Sequence, residues 1–535
     1  MPKPATQNII ASLAKFGITL TKFLALDGFV GDLHNDSRLL VAGDIFCAII
    51  GHQQDGRQYI EQALKQGVKL VIRECDSAAD HGELVIASNG NGVAIVNFYQ
   101  LNQHLFTLTK HYYQAPQKHM TIVGITGTNG KTTTSQLLAQ MFTHAHKPCA
   151  IIGTNGAGSI DKLAQIENTT PGACQLHQLF TAFIDEHSVH GKFSHVAMEV
   201  SSHALSQQRV QADLFDIAVF TNLSRDHLDY HDSMASYGAA KKQIFTGDNR
   251  QIAVVNFDDE QAKNWLENWP EQQVLWLYGR TDNIECNQHF VTAKHIKHHS
   301  HGVSFTLISH LGRVVISSPL LGDFNIDNLM AAICVLLIEG TRLSELPDLV
   351  RQVSAIAGRM EATSANNLAT AVVDYAHTPD ALEKALQACR QHCSGKLYVV
   401  FGCGGDRDKG KRPLMAQAAE KYADCVVVTN DNPRSEDAQL IANDIIAGFT
   451  HPDADTISII LAREQAVLTT LQTAQAGDIV LLAGKGHEDY VIVAKYDEHG
   501  VIIGTEKLAY NERLVVENFY QQHAGLATLP NEAKV

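Results

Sequence analysis

Short apolar runs recur along this chain, each followed by polar or glycine-rich residues and then by a segment with helical spacing. In the first 115 residues, runs at 44–50, 70–73 and 84–87 read as strands and 59–66 reads as a helix. Residues 112–119, with Pro116, read as a linker. Beyond it, apolar runs at 122–125, 149–153, 195–200, 217–221 and 252–256 alternate with helical patterns, the first at 132–142. Buried runs alternating with helices predict a doubly wound parallel sheet, whose ligands collect at the C-terminal strand ends. Runs at 274–278, 303–308 and 313–317 read as added antiparallel strands. The stretch with His295, His298, His299 and His301 reads as a solvated loop, because no carboxylate or thiol is regularly interleaved. A long helix is predicted over 325–339. A further α/β unit starts after Gly358, with strands at 370–374, 396–401, 425–429 and 479–483 and helices at 379–392, 413–422, 438–448 and 464–474. The pattern therefore predicts an α/β fold of three domains, 1–115, 116–350 and 351–535, the central one doubly wound and the C-terminal one Rossmann-like.

Length agrees, since 535 residues exceed what one hydrophobic core organises. Hydrophobic residues at 45% and charged residues at 19% fit a globular protein. A formal charge of −15 argues against a nucleic-acid surface, without excluding a local basic pocket. No apolar run approaches the roughly 20 residues of a membrane span. Lys22 and Asp27 interrupt the mildly apolar stretch 16–30, so no signal peptide is read. The cysteines are scattered, and the closest pair, Cys389 and Cys393, has helical spacing; reduced thiols and a cytoplasmic location are expected.

Candidate chemistry concentrates at the ends of the predicted strands. The loop Thr126-Gly127-Thr128-Asn129-Gly130-Lys131-Thr132-Thr133 joins an apolar run to a helix, as a phosphate cradle does. Glycines let backbone N–H groups turn toward an anion, the helix N-terminus adds positive charge, Lys131 can reach outer phosphates, and the Thr132 hydroxyl can ligate Mg²⁺. The loop departs from the strict nucleotide-binding pattern, with Ile125 where its first glycine belongs. Glu199 and His227 end the next two candidate strands, where a carboxylate and a histidine can hold Mg²⁺. The C-terminal unit adds Asp374 to Pro379, Gly402 to Lys409, Asp431 to Arg434 and Gly484 to Glu488, all on one predicted rim. Arg407 and Arg434 suit a carboxylate and Glu488 an ammonium, so an amino acid fits this rim.

These motifs, in this order, resemble the Mur ligases, ATP-dependent amide ligases of peptidoglycan synthesis; the resemblance runs from residue 36 to about 506. It implies that 1–115 binds a UDP-linked substrate, 116–350 is a P-loop ATP domain and 351–535 receives the amino acid. ATP would be held by Gly127, Thr128, Asn129, Gly130, Lys131, Thr132 and Thr133, with Asn325, Arg359, Asp374 and His377. The UDP-muramoyl dipeptide would meet Asn35, Ser37, His52, Gln53, Gln54, Asn168, Thr169, Thr170, Ser201, Gln207 and Arg209. Lys241, within Ala239-Ala240-Lys241, resembles the family's carbamylated lysine; it would join Thr132, Glu199 and His227 around Mg²⁺, and Lys131, Lys241 and His227 would be catalytic. Asp431, Asn432, Pro433 and Arg434 match the members that add meso-diaminopimelate, with Arg407, Gly484 and Glu488 as further contacts. The implied reaction passes through an acyl phosphate on the D-glutamyl side chain, with domain closure excluding water. A monomer acting on small molecules, without nucleic-acid or membrane partners, is expected. Two other readings are a folylpolyglutamate synthetase-like ligase, against which the first domain and Arg434 argue, and a nucleotide-binding regulatory protein without catalysis, against which the set Lys131, Glu199, His227 and Lys241 argues.

Overall fold

A computed structural model describes residues 6–20, 31–52, 54–87, 92–185, 187–188, 191–248, 250–299, 302–365 and 367–524. The chain forms two compact units, 1–292 with 328–342, and 293–327 with 343–535. Three principal sheets build the three-domain α/β architecture; the N-terminal sheet and the central strands from Thr121–Thr126 to Leu275–Gly279 lie in the first unit.

The N-terminal sheet has the spatial order Leu33–His34, Ile45–Ala48, Leu70–Cys75, Ala94–Tyr99, Leu84–Ile86, and only the last strand is antiparallel. Phe46, Val71 and Ile95 belong to its core. The strand Ala94–Tyr99 and the helices Thr6–Ala14 and Leu101–Tyr112 were absent from the sequence-based assignment. The expected linker at 112–119 is instead packed structure. Tyr112 ends a helix, is fully buried and donates to the Gly31 carbonyl at 2.5 Å, and Pro116 and Gln117 are buried in a 3₁₀ turn. The large area of two adjacent tyrosines outweighs the turn signal of the proline.

The central sheet runs Leu275–Gly279, Ile252–Asn256, Ile217–Phe220, Thr121–Thr126, His195–Glu199, Cys149–Gly153, all parallel, then closes on the antiparallel strands Gly156–Ser159 and Lys162–Ala164. The expectation of an antiparallel strand near 274–278 is corrected: Ala253 pairs with Leu275 in parallel register. The helix Lys131–His144 is buried from Thr132 to Phe142, as expected for a helix enclosed in a doubly wound layer.

In the second unit, the sheet order is Glu361–Thr363, Thr370–Asp374, Ile479–Ala483, Leu397–Phe401, Cys425–Val428, Ile457–Ile459, parallel except for the first strand. Apolar layers cover both faces. The helix Pro379–His392 shows why local sequence sufficed there. The Thr378 side chain accepts from Ala381 N–H, Pro379 opens the first turn, Asp380 follows, and Arg390 and His392 lie in the last turn. The strands Gly302–Ser309 and Gly312–Ser318 form the antiparallel pair expected. The polar histidine stretch, however, lies largely in a strand, Phe290–His299, whose exposure alternates from Lys294 onward. Polar residues on both faces hid that alternation, and His301 lies outside the described residues. An antiparallel hairpin, Tyr490–Tyr496 with Ile502–Ala509, and the helix Glu512–Ala524 complete the unit. Among the described residues, no helix is long and apolar enough to cross a membrane.

Candidate active site

The strand Thr121–Thr126 delivers the glycine loop to the start of the helix Lys131–His144. Gly130, with φ +84°, caps that helix, and a Cβ there would collide with Asn328 Oδ1. The loop is stitched to the end of the neighbouring strand. Thr128 N–H donates to Asn222 O at 2.8 Å, Asn129 N–H to Asn222 Oδ1 at 3.0 Å, and Thr221 Oγ1 to Asn129 O at 2.6 Å. Lys131 Nζ lies over the loop's carbonyls, donating to Gly127 O at 2.9 Å and Thr128 O at 2.8 Å. Thr132 and Thr133 start the helix with buried side chains.

Thr132 Oγ1 donates to Glu199 Oε2 at 2.9 Å. Glu199 is buried, and it also accepts from Thr154 N–H at 2.9 Å and Thr154 Oγ1 at 3.1 Å. A hydroxyl and a carboxylate at a helix N-terminus suit Mg²⁺, which takes few protein oxygens and completes its shell with phosphate and water. Lys241 is buried, donates to Gly127 O at 2.8 Å and lies 4.6 Å from the centre of the Tyr237 ring. Burial, and then the nearby Lys131 charge, hold its pKa well below the ordinary lysine range. His227 is exposed, in the left-handed region at φ +53°, 3.4 Å from Asp226 and edge-on to His203. Among the described residues, His227 makes no hydrogen bond or ion pair with Thr132, Glu199 or Lys241.

The residues expected to meet the UDP-linked substrate fall partly into one network. Arg209 donates to Gln207 Oε1 at 2.8 Å and to Thr170 O at 3.2 Å, and Gln207 donates to the Tyr230 hydroxyl, whose ring faces His52. Thr170 Oγ1 donates to Glu199 O at 2.9 Å and accepts from Ser201 N–H, while Ser201 caps the following helix. Thr169 meets Thr154. Ser37 is buried in a 3₁₀ turn capped by Asp36, and Asn35 lies beside Gly172. Gln54 accepts from Tyr59, Asn168 is exposed, and Gln53 lies outside the described residues. Thr154 and Tyr237 were missed from sequence, although Thr154 directly follows the strand Cys149–Gly153; Asn222 opens the polar stretch that carries His227 but was given no role of its own.

In the second unit, Asp374 ends a strand, accepts from Met360 N–H at 2.8 Å and Ala376 N–H at 2.9 Å, and has its pKa raised by burial. The Arg359 guanidinium lies 4.8 Å from the centre of the Tyr375 ring, and His377 Nδ1 is 2.8 Å from Tyr375 O. Asn325 is buried and donates to Leu321 O. The amino-acid candidates cluster tightly. Arg434, at φ +52°, donates to Gly405 O at 2.8 Å, and its N–H donates to Ile492 O at 3.0 Å. Asn432 donates to Glu488 Oε2 at 3.0 Å, and Asp431 lies 3.2 Å from the Lys485 ammonium. Pro433 is half-buried between Asn432 and Arg434, Gly484 has φ +114° beside Asp431, and Arg407 is exposed on the neighbouring loop. Lys485, fully buried, and Arg463, which donates to Ala483 O and Asn430 O beneath these loops, were not singled out from sequence.

Residues 32–113 match the family profile described as Mur ligase family, catalytic domain, residues 125–336 the Mur ligase middle domain, and residues 358–486 the Mur ligase, glutamate ligase domain. The chain is 44% identical over 471 residues, 88% of its own length and 94% of the relative's, to UDP-N-acetylmuramoyl-L-alanyl-D-glutamate--2,6-diaminopimelate ligase of Haemophilus influenzae. A solved structure bearing that same name is 33% identical, with a TM-score of 0.65 over 92% of this chain and 95% of that one. Folylpolyglutamate synthase of Mycobacterium tuberculosis, solved with ADP and AMPPCP, is 18% identical with a TM-score of 0.54, covering 71% of this chain and 91% of that one, and shares the fold.

Proposed function

Because the chain belongs to the Mur ligase family, we propose that it is the ATP-dependent ligase that adds meso-2,6-diaminopimelate to the D-glutamate of UDP-N-acetylmuramoyl-L-alanyl-D-glutamate, yielding ADP and phosphate for peptidoglycan synthesis in the cytoplasm. Residues 1–115 bind the uridine nucleotide, 116–350 the ATP, and 351–535 the amino acid. The observation that carries the amino-acid assignment is the meeting of the Asp431–Asn432–Pro433–Arg434 run with Gly484 and Glu488. Diaminopimelate has a carboxylate and an ammonium at each end, so a rim with both Arg434 and Glu488 has a task at each sign of charge. A folylpolyglutamate synthetase-like activity is the weaker reading, since that likeness rests on the fold alone.

A carboxylate is not attacked by an amine unaided, because its oxygen leaves poorly. The glutamyl carboxylate attacks the γ-phosphate of ATP, forming an acyl phosphate. Lys131 and the N–H groups at the start of the helix, Lys131 to Thr133, neutralise charge developing on the phosphate oxygens. Thr132 and Glu199 are the protein oxygens that hold Mg²⁺, which when bound draws charge from the phosphates. The diaminopimelate amine then attacks the acyl carbon and phosphate leaves. Lys241 is a buried amine, and no carboxylate is hydrogen-bonded to it among the described residues. Carbamylation by CO₂ would make it an anion suited to a second cation, with His227 nearby in sequence. Arg209, Gln207 and Thr170 position the dipeptide end of the UDP substrate. Phosphate release with ATP, the UDP-muramoyl dipeptide and a panel of amino acids tests the reading. Turnover should require diaminopimelate; equal turnover with lysine would overturn the amino-acid assignment.

A further inference from the structure

Beneath the amino-acid rim lies a lysine that the reaction scheme does not use. Lys485 is fully buried, and its ammonium donates to Asn432 Oδ1 at 2.6 Å, Tyr490 O at 3.0 Å and Glu488 Oε2 at 3.2 Å, using its three protons. A fourth neighbour, Asp431 Oδ1, lies 3.2 Å away. The Asn432 amide oxygen also accepts from Ile492 N–H at 2.8 Å. Two donors on Oδ1 settle which end of that amide is oxygen, so Nδ2 must face Glu488, where it donates to Oε2 at 3.0 Å. Glu488 Oε2 is thereby doubly held, and Oε1 has no hydrogen-bond partner among the described residues. Three carboxylates, Asp431, Glu488 and Glu512, are set against two cations, Lys485 and Arg463.

We infer that Lys485 is a positioning residue for amino-acid recognition: its buried ammonium fixes the Asn432 amide and anchors one oxygen of Glu488, leaving the other to accept from the ammonium of the incoming amino acid. This rests on the ligase reading above. A buried pinning charge costs desolvation that an apolar residue would avoid, and fixing a geometry is the return for it. Lys485 acts through Glu488, so the two substitutions should not add.

The test is steady-state kinetics on the full-length protein with ATP, the UDP-muramoyl dipeptide and diaminopimelate, for wild type, Lys485→Met, Glu488→Gln and the double variant. Lys485→Met should raise the KM for diaminopimelate by about tenfold or more, with the KM for ATP and for the UDP substrate unchanged within about twofold. In the Glu488→Gln background the same change should add less than about threefold. Additive effects, or KM values rising together for all three substrates, would overturn the inference. Lys485→Gln, which keeps a donor without the charge, is measured alongside. If neither variant folds by circular dichroism and thermal melting, Lys485 is a structural residue and the inference is also overturned. Wild-type turnover without a requirement for diaminopimelate would instead refute the ligase reading, so the two failures are separable.

Discussion

Two lysine side-chain nitrogens, those of Lys131 and Lys241, donate to a single carbonyl oxygen, that of Gly127. Replacing Lys131 by Ala removes charge stabilisation from the transferring phosphoryl group, and turnover should fall by about 10²-fold or more with the fold kept. Lys241→Ala should lose activity that a short carboxylic acid partly restores if a carbamate is the working group; full activity without any supplement would exclude it. Burial first and Lys131 second lower the folded-state pKa of Lys241 below its unfolded value. The unfolded chain therefore binds more protons between those two values, and the group's contribution to stability rises with pH across that window. In bicarbonate-free buffer, raising pH toward the ordinary lysine range should stabilise wild type more than Lys241→Met, as read by thermal melting. Arg434 tests the other end of the chemistry. Arg434→Ala should raise the KM for diaminopimelate far more than that for ATP and narrow the preference over lysine, with Arg434→Lys rescuing only in part.

The glycine loop and the capped helix behind it form an element whose backbone is proposed to do the binding, so its geometry should tolerate little. Gly130 sits at φ +84° against Asn328, and Gly130→Ala should cost about 1–2 kcal/mol in backbone strain alone. The expected outcome is a lower melting temperature together with a raised KM for ATP. This element was legible from sequence because its signals are local: an apolar run, glycines, a lysine and then helical spacing. The helix Pro379–His392 was legible for the same reason, with its cap and proline adjacent in sequence. The strand Phe290–His299 was not, because Lys294, His295, Lys297, His298 and His299 put polar groups on both faces and only pairing with neighbours defines it. The direction of Leu275–Gly279 was equally hidden, since register with Ile252–Asn256 is a long-range fact. Candidate site residues were proposed at strand ends. Lys485, inside the Gly484 to Glu488 run, was given no role and Arg463 was not named, because a buried cation beneath a rim reads as an ordinary charged residue until its partners are known.

In the second unit, Arg463 and Glu512 form a buried pair, with both carboxylate oxygens of Glu512 within 3.1 Å of guanidinium nitrogens. Glu512→Ala leaves the guanidinium buried without its counter-charge and should cost about 3–5 kcal/mol, read from chemical denaturation. Burial also raises the Glu512 pKa. The same guanidinium donates to the carbonyls of Asn430 and Ala483, the residues just before Asp431 and Gly484. The helix Glu512–Ala524 and the two loops proposed to read the amino acid therefore hang on one planar cation. Local opening of that helix must loosen the rim, and by reciprocity an amino acid held at the rim must slow the opening. Deuterium uptake along 512–524 thus becomes a gauge of occupancy at the rim.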